Sequence, residues 1–302
     1  MSLDGQVLVV GATGLLGMEI VRALCAAHRS TRAVVRAGTD PAKRAALASL
    51  GVETVIADLK DPGSLERACS KIKVIISTAS ATLSRQEGDS IQTVDNEGQL
   101  HLVRAAERSS NVKRFVYVSF PELQFDFELQ RAKRRVEAQL RSGSIPYTIL
   151  QPAFFMEVWL SSILGFDPAR GRVRILGDGI QPISWISLLD VARFAVAAAE
   201  EDSPTGKVLP LGGLEALSPL QVVEIFKDLG ISDVVLDHVP ERALEEQLAH
   251  AATAEERAAA AIMLSIARGL VLDSRAAKDL RRERLLTVRE YAAQVLQTSN
   301  QQ

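Results

Sequence analysis

Short β-branched runs alternate with helical patterns through the first half of the chain. The strand-like runs are QVLVV, TRAVVR, VETVIA, KVIIS, RFVYVS and PYTIL, and each is separated from the next by enough residues for a helix. The runs are apolar throughout instead of alternating, which is typical of strands that helices cover on both faces of a parallel sheet. Because crossovers between parallel strands are right-handed, the pattern predicts an α/β fold with a doubly wound parallel sheet of the Rossmann type.

The pattern changes after Gln151 and Pro152. FFMEVWLSSIL predicts an aromatic-rich helix, and RVRILGDGIQPISWI contains two strand-like runs around a Gly-Asp-Gly turn. The helical pattern of residues 190–199 and the strand-like KVLPLGG then predict that the chain returns to the large sheet. From Ser218 onward the pattern is mainly helical, with a capping box in SPLQ and another in TVRE.

Two interleaved domains are therefore expected. The larger one covers residues 1–152 plus about 183–213 and contains the Rossmann sheet. The smaller one covers about 153–182 plus 214–302 and is a mainly helical C-terminal domain for a substrate or partner.

Composition places the 302-residue chain among globular proteins, because 47% of its residues are apolar and 24% are charged. A net charge of −2 gives no electrostatic reason to expect nucleic acid as a partner. The densest basic stretch, RAKRRVEAQLR at 131–141, has apolar residues at helical spacing, which favours a solvated helix face over a nucleic-acid site.

Neither a metal site nor a membrane span is expected. Cys25 and Cys69 have apolar neighbours, which favours core positions, and neither they nor the four histidines show metal-ligand spacing. No stretch approaches about 18 uninterrupted apolar residues, and the N-terminus lacks the features of a signal peptide. The cytoplasm is the expected location.

The glycine-rich stretch VVGATGLLG lies where the first strand hands over to a helix. The strand ends at Gly11, and an apolar helical pattern runs from about Leu15 to Ala27. On its own such glycine spacing also fits a plain turn, but at this junction small residues let backbone N–H groups approach a pyrophosphate, which the helix dipole favours. The context predicts dinucleotide binding by Gly11, Thr13, Gly14, Leu15, Leu16 and Gly17.

The end of the second strand indicates which dinucleotide is bound. A fold that prefers NAD usually has an acidic residue there for the ribose hydroxyls, whereas this chain has Arg36 and no acid between Ser30 and Thr39. A guanidinium suits the 2′-phosphate of NADP, so NADP(H) is predicted rather than NAD(H); the alternative is a solvated arginine.

Residues after the third and fourth strands are further candidates for coenzyme contact. Asp58, beside Leu59, either accepts a hydrogen bond from the adenine amino group or caps the helix that starts near Pro62. The small residues Thr78 and Ala79 follow the fourth strand at the ligand-facing edge and are predicted to line the coenzyme.

These motifs together resemble the NmrA-like branch of the atypical short-chain dehydrogenases/reductases. The resemblance rests on GATGLLG, the arginine after the second strand, ADL, NVKRFVYVS, SIPYTILQPAFFME, ISWISLLDVARFAVAAAE and TVREYAAQVLQ, and so covers nearly the whole chain. It implies either an NADPH-dependent reductase of quinones, dyes or phenolic ethers, or a protein that binds the coenzyme only to report redox state.

Typical members of the wider superfamily use an Asn, Ser, Tyr and Lys set. By resemblance, Asn96, Ser119 and Lys133 match three of these roles, but Leu129 stands four residues before Lys133, where the tyrosine belongs. A lost proton donor typically costs about 10² to 10⁴ in rate, which argues against an ordinary alcohol dehydrogenase or epimerase.

The roles of these polar residues remain open. Lys133 can serve as base or donor if burial lowers its pKa, water can protonate a quinone instead, and Lys133 can also bond to the nicotinamide ribose hydroxyls without catalysis. Alternatively, Ser119 satisfies a strand end, Asn96 stabilises its helix and Lys133 is a further surface cation.

The aromatic residues near the predicted site have two interpretations. The loop FPELQFDFE at 120–128, with Phe154, Phe155 and Trp159, forms either the wall of an apolar substrate pocket or the core between the domains. Two functions therefore remain: a reductase of a small apolar or aromatic acceptor such as a quinone, and a non-catalytic dinucleotide sensor or assembly protein with a regulatory protein partner.

Overall fold

A computed structural model describes residues 6–82, 86–280 and 284–299 of the chain. The thirteen strands in this described part of the chain belong to one large parallel sheet and two small sheets. In chain order the strands are β1 (Gln6–Val10), β2 (Thr31–Val35), β3 (Glu53–Ile56), β4 (Ile72–Ser77), β5 (Arg114–Val118), β6 (Tyr147–Pro152), β7 (Phe154–Phe155), β8 (Phe166–Asp167), β9 (Arg172–Leu176), β10 (Ile183–Ile186), β11 (Lys207–Leu211), β12 (Ala216–Leu217) and β13 (Val235–Val239).

The helices connect these strands and cover the large sheet. They are α1 (Leu15–Ala26), α2 (Pro41–Ser49), α3 (Pro62–Ala68), α4 (Gln99–Arg108), α5 (Glu128–Ser142), α6 (Met156–Trp159), α7 (Leu188–Ala198), α8 (Pro219–Asp228), α9 (Glu241–His250), α10 (Ala254–Arg268) and α11 (Val288–Ser299). A π-helical segment, Ile91–Gly98, leads directly into α4, and short 3₁₀ turns cover Ser162–Leu164, Pro168–Arg170 and Arg275–Leu280.

The large sheet has seven strands in the order β11-β6-β5-β4-β1-β2-β3, all parallel to their neighbours. The predicted doubly wound α/β fold is therefore confirmed, including the return of the chain to this sheet through α7 and β11. Chain order reverses between β1 and β4, and ligands of such sheets bind in the crevice at this reversal, beyond the carboxyl ends of the strands.

A hydrophobic core lies on each face of the large sheet. Val7 and Val9 of β1 point to one face, where they pack with α1 and α7, and Leu8 and Val10 point to the other, where they pack with α3, α4 and α5. The expectation of strands covered on both faces is wrong for β3, in which Ile56 is 61% exposed. This strand lies at the sheet edge and pairs only with β2.

The region after Pro152 differs from the sequence prediction. FFMEVWLSSIL does not form one helix: Phe154–Phe155 is a strand parallel to β10, and only Met156–Trp159 is α-helical. Pairing with β10 outweighs the helical preference of the stretch. The two runs around the Gly-Asp-Gly turn are strands but belong to different sheets, β12-β10-β7 and β13-β9-β8.

The C-terminal region is helical with one exception. Strand β13 interrupts it and pairs in parallel with β9. Both predicted capping boxes are present, since Ser218 and Gln221 bond reciprocally at the start of α8 and Thr287 and Glu290 do so before α11. The limits of the two expected domains stay a prediction.

The two cysteines and the basic stretch have different outcomes. Both cysteines are free, and Cys69 is buried in the core as predicted. Burial raises the pKa of the Cys69 thiol to about 12. The basic stretch is only partly solvated, because the Lys133 side chain is 6% exposed and Arg134 is bonded to Glu137. Among the described residues, no helix is long and apolar enough to span a bilayer.

Candidate functional site

Two glycines fix the shape of the loop between β1 and α1. Gly11 has a φ of +89°, and a Cβ there would lie 2.8 Å from both the Ala79 nitrogen and the Thr78 Oγ1 atom. A Cβ on Gly17 would lie 2.0 Å from the Gly11 carbonyl oxygen. Because no side chain fits at either position, α1 packs directly against the loop and the ends of β1 and β4 lie side by side.

Helix α1 begins at this loop without a side-chain cap. Gly14 is the N-cap residue, and its N–H donates to the Gly11 carbonyl at 3.0 Å. Gly14 is exposed, Leu15 is 53% exposed and Thr13 is half-buried. An uncapped helix start that is open to solvent at a strand-order reversal suits the diphosphate of a dinucleotide, since N–H groups and the helix dipole both favour an anion.

The predicted contact residues of the loop are not equally accessible. The side chain of Leu16 is only 8% exposed and packs in the core between the sheet and α7. Its backbone alone is therefore available to a ligand, whereas Thr13, Gly14 and Leu15 form the outer surface of the turn.

Beyond β2 and β3, at the same edge of the sheet, Arg36 lies in a cluster of four charges. Arg36 Nη1 and Lys60 Nζ each bond to one carboxylate oxygen of Asp89. Lys60 Nζ also lies 3.5 Å from Asp58 Oδ2. Asp89 follows β4 and is far from Arg36 in sequence, so the search for an acid between Ser30 and Thr39 did not reveal it.

The backbone around Arg36 is held by residues that the sequence analysis did not select. The Arg36 N–H donates to Thr39 Oγ1 at 2.8 Å, and Arg44 Nη2 donates to the Arg36 carbonyl at 2.6 Å. Arg44 therefore holds the turn after β2 with its guanidinium, through contacts that its basic character alone does not predict.

Asp58 does not cap α3, so that alternative is wrong. Asp61 is the N-cap, and its side chain accepts from the Gly63 N–H at 3.1 Å. Asp58 Oδ1 instead accepts from the Lys60 N–H at 2.8 Å. Leu59 is buried, with its Cβ 2.7 Å from the place that a Cβ of Gly98 would take.

Gln99 fixes the end of β4 next to the glycine loop. Its side chain accepts from Ser77 Oγ at 2.8 Å and donates to the Ala79 carbonyl at 2.8 Å. Thr78 and Ala79 thus keep their place against Gly11 through a fully buried amide on the helix that follows. Sequence reasoning had no signal for Gln99, because it stands in an ordinary helical pattern.

Lys133 lies in a buried charge pair. Its Nζ atom is 3.0 Å from Asp95 Oδ1 and 5.4 Å from the centre of the Tyr117 ring. The other oxygen of Asp95 accepts from the Ala81 N–H at 2.8 Å, which ties the pair to the chain just after β4. Both side chains are nearly inaccessible, at 6% for Lys133 and 0% for Asp95.

The pKa of Lys133 moves opposite to the direction that a base requires. Burial alone lowers it, but the neighbouring Tyr117 and Asp95 outweigh that effect and raise the pKa of Lys133 to about 12. The condition for a basic Lys133 is therefore not met, and the ammonium stays protonated at neutral pH.

The helical position of the missing tyrosine is closed. Leu129 is 2% exposed and packs with Phe127 and Ala258 in a cluster between α5 and α10. A phenol does lie near Lys133, but it comes from Tyr117 in β5, is fully buried, and burial raises its pKa to about 12. It is not an accessible proton donor.

Ser119 and Asn96 have partners of their own. Ser119 Oγ donates to Glu137 Oε1 at 2.7 Å, and Glu137 also accepts from Gln151 at 3.0 Å. Asn96 Nδ2 donates to Gln92 Oε1 at 3.1 Å. The hydrogen bonds of the described residues thus do not join Asn96, Ser119 and Lys133 into one constellation, and their roles stay predictions.

The aromatic residues mostly form core. Phe127 is fully buried and stacks on Phe120 with ring centres 6.1 Å apart. Phe154 is 6% exposed and meets Trp159 edge-on at 5.8 Å. Core is therefore the interpretation that describes these contacts, while Phe155 and Trp159 keep part of their surface exposed. That this core separates two domains stays a prediction.

A cavity of about 350 Å³ lies at the carboxyl edge of the sheet beyond β11. Gly212, Gly213 and Ser274 line it together with apolar residues that include Ile186 and Phe194. Because β11 and β3 are the two outermost strands, this cavity is at the opposite end of the sheet edge from the Arg36 cluster.

Comparison with known proteins gives a consistent picture. A sequence model of the NmrA-like family matches residues 4–279. Photosystem II assembly factor Ycf39 of Synechocystis sp. is 31% identical over 243 residues, 78% of this chain and 71% of that protein. NAD(P)H azoreductase of Xenophilus azovorans is 31% identical over 220 residues, 72% of this chain and 71% of that protein.

Solved structures share the fold. The triphenylmethane reductase of Citrobacter sp., crystallised with NADP(H), superposes with a TM-score of 0.77 at 22% identity, over 96% of this chain and 99% of that one. At this identity the similarity concerns the architecture.

Proposed function

The chain belongs to the NmrA-like family, and on this premise we propose that it is an NADPH-dependent reductase of a small apolar or aromatic acceptor such as a quinone. The observation that carries the proposal is the loop from Gly11 to Gly17, where two glycines that tolerate no Cβ bring an uncapped helix start to the strand-order reversal. This arrangement suits the diphosphate of a dinucleotide.

The preference for NADP(H) is supported by the cations beyond β2 and β3. Arg36 and Lys60 are both half-buried, and together they offer a guanidinium and an ammonium to a 2′-phosphate. Asp58, after β3, is the candidate for contact with the adenine, and Leu59, Thr78 and Ala79 are further candidates for contact with the coenzyme.

The residues near Lys133 restrict the reaction that the chain can support. When bound, NADPH supplies the hydride. Lys133 is a fixed cation that positions ribose hydroxyls or polarises an acceptor oxygen, and it does not remove a proton, because Asp95 keeps it charged. Since Leu129 provides no phenol, acceptors that water can protonate, such as quinones and dyes, suit the site better than aldehydes or ketones.

Two comparisons agree with this class of acceptor. The name of the Xenophilus azovorans protein describes a reductase of azo compounds, and that of the Citrobacter sp. protein describes a reductase of triphenylmethane compounds, which contain aromatic rings. The cytoplasmic location and the absence of a nucleic-acid partner stay predictions.

A second candidate function is a dinucleotide-binding assembly or regulatory protein without turnover. The observation that favours it is the closed environment of the catalytic positions: Leu129 is buried, Ser119 is bonded to Glu137, and Lys133 is paired with Asp95. The name of the Synechocystis relative, a photosystem II assembly factor, describes this kind of protein.

The two functions are separated by following NADPH absorbance with quinones, azo dyes, triphenylmethane dyes and aldehydes. The reductase is expected to oxidise NADPH with at least one aromatic acceptor and not with aldehydes. Coenzyme binding by calorimetry without turnover of any acceptor would leave only the assembly or regulatory protein. In that case NADP⁺ and NADPH should bind with different affinity, because a ligand shifts an equilibrium only through differential affinity.

A further inference from the structure

Asp89 is an unusually buried carboxylate for a loop residue that follows a strand end. Its side chain is 3% exposed, while the two cations that it binds, Arg36 and Lys60, are 31% and 30% exposed. Each oxygen of the carboxylate has its own cation, Oδ2 with Arg36 Nη1 and Oδ1 with Lys60 Nζ. The structure thus contains a formed anion site between the ends of β2 and β3, and Asp89 is the anion in it.

Neighbouring contacts hold Asp89 at this place. Gln86 Nε2 donates to the Gly38 carbonyl at 3.3 Å, which ties the stretch before Asp89 to the turn after β2. Ser90 caps the π-helical segment that follows, through its bond from the Thr93 N–H at 3.1 Å. Contacts of the residues before and after Asp89 therefore hold it in place beside the cations.

Cations and carboxylates are mixed in this cluster. Arg36 and Lys60 contribute two positive charges, Arg44 adds a third where it binds the Arg36 carbonyl, and Asp58 and Asp89 contribute two negative charges. A phosphate monoester brings about −1.5 to −2 at neutral pH, so a 2′-phosphate would add its charge beside Asp89, which already binds both Arg36 and Lys60. Like charges placed side by side repel, and the two anions require the same donors.

We propose that Asp89 sets the coenzyme preference of this chain by competing with the 2′-phosphate for Arg36 and Lys60. This proposal rests on the proposed coenzyme binding. Asp89 lowers the affinity for NADPH while leaving NADH, which lacks that phosphate, nearly unaffected. The chain therefore discriminates between the two coenzymes less than Arg36 alone would suggest.

The test is a calorimetric titration of wild type and Asp89→Asn with NADPH and with NADH. The amide keeps the shape of the side chain and removes its charge, so the NADPH affinity is expected to rise about tenfold while that for NADH changes by less than about twofold. Glu87→Gln is the matched control, because it removes the same charge from an exposed side chain of the same loop and should keep the wild-type ratio of affinities.

A second pair of variants tests the mechanism of the change. Asp89→Glu retains the charge and is expected to keep a ratio near that of wild type. Lys60→Gln removes one of the two donors and should weaken NADPH about tenfold more than NADH. Because each result is a ratio of two affinities in one preparation, a partly unfolded sample does not change it.

The results distinguish this proposal from the function on which it rests. If wild type binds neither coenzyme, the proposed function and this inference both fail. If wild type binds NADPH but Asp89→Asn shows the ratio of wild type, Asp89 does not compete and the inference alone fails. A selective loss of NADPH affinity in Asp89→Asn would also overturn it, because Asp89 would then orient Arg36 for the phosphate.

Discussion

Two ion-paired lysines at the carboxyl edge of the sheet differ mainly in their access to water. Lys133 and its partner Asp95 are 6% and 0% exposed, whereas Lys60 is 30% exposed and its partner Asp89 is 3% exposed. The Lys133 ammonium cannot exchange Asp95 for a ligand without leaving a charge in the core, whereas the half-exposed cations Arg36 and Lys60 can receive a ligand from the solvent side. The comparison indicates that the Lys133–Asp95 pair supports the structure of the site and that Arg36 and Lys60 select the ligand.

The position of each pair in the fold explains this difference. Asp95 belongs to the π-helical segment packed against α5, and α5 also packs against α4, α10 and β6, so its partner Lys133 is buried. Lys60 and Arg36 follow β3 and β2 at the outer end of the sheet, where β3 is an exposed edge. Sheet order therefore decides which of two similar ion pairs remains open to solvent.

The largest effect is expected from breaking the buried pair. Asp95→Asn should lower the free energy of unfolding by about 3–5 kcal/mol, because it leaves the Lys133 ammonium buried without a counterion. The double variant Asp95→Asn/Lys133→Met should recover a large part of that loss. Urea unfolding measures all variants.

The control for this prediction is the exposed pair Arg108–Glu66, whose side chains are 68% and 48% exposed. Glu66→Gln should cost less than about 1 kcal/mol. Equal losses in Asp95→Asn and Glu66→Gln would remove the contrast between buried and accessible pairs.

A change at the glycine loop should lower the affinities for NADPH and NADH together. Gly17→Ala places a Cβ 2.0 Å from the Gly11 carbonyl oxygen, so α1 must move away from the loop. A displacement of this size is expected to weaken NADPH and NADH alike, by about 100-fold in calorimetry. Gly63→Ala in α3 is the matched control, because its Cβ would have only ordinary contacts, the nearest at 3.5 Å. Unchanged binding in Gly17→Ala would exclude this loop from coenzyme recognition.

Arg36→Asp should change the two affinities unequally. Loss of the guanidinium and gain of a carboxylate beside Asp89 are expected to weaken NADPH at least about tenfold more than NADH. Fluorescence titration with both coenzymes is sufficient for this comparison. An equal loss for both would mean that Arg36 does not recognise the phosphate.

The smallest effect at neutral pH is expected from the ionisation of the two buried groups Tyr117 and Lys133. Burial raises the pKa of Tyr117, and Tyr117 and Asp95 outweigh burial at Lys133, so that both reach about 12. A raised pKa in the folded state stabilises the protein below the ordinary value near 10, and this contribution is lost as the pH rises toward 12.

The free energy of unfolding should therefore be insensitive to these groups between about pH 6 and 9 and fall between about pH 10 and 12. Tyr117→Phe should make the alkaline fall smaller in urea unfolding at stepped pH. If the fall in Tyr117→Phe has the wild-type size, the pKa of Tyr117 is not raised by folding.

Much of the large sheet was predictable from sequence because its strands carry local signals. Apolar runs such as QVLVV mark buried parallel strands without knowledge of their neighbours, and the glycine loop is contiguous in the chain. The prediction of one helix for FFMEVWLSSIL was wrong because the pairing of Phe154 and Phe155 with β10 is a long-range contact that no local pattern contains.

The candidate site was predictable only where a single segment defines it. Asp89 and Asp95 were both missed, because each gains its importance from a partner on another element, Arg36 and Lys133 respectively. Gln99 was missed for the same reason. Lys133 was selected by resemblance to a family, but the direction of its pKa depends on Tyr117 and Asp95, which lie on other elements and which the sequence did not single out.

The central claim, that the loop from Gly11 to Gly17 receives a nicotinamide dinucleotide, is tested most directly by calorimetric titration of the folded wild-type chain with NADPH and NADH. The account predicts saturable binding of NADPH, with NADH bound more weakly. The absence of binding by either coenzyme at millimolar concentration would contradict it.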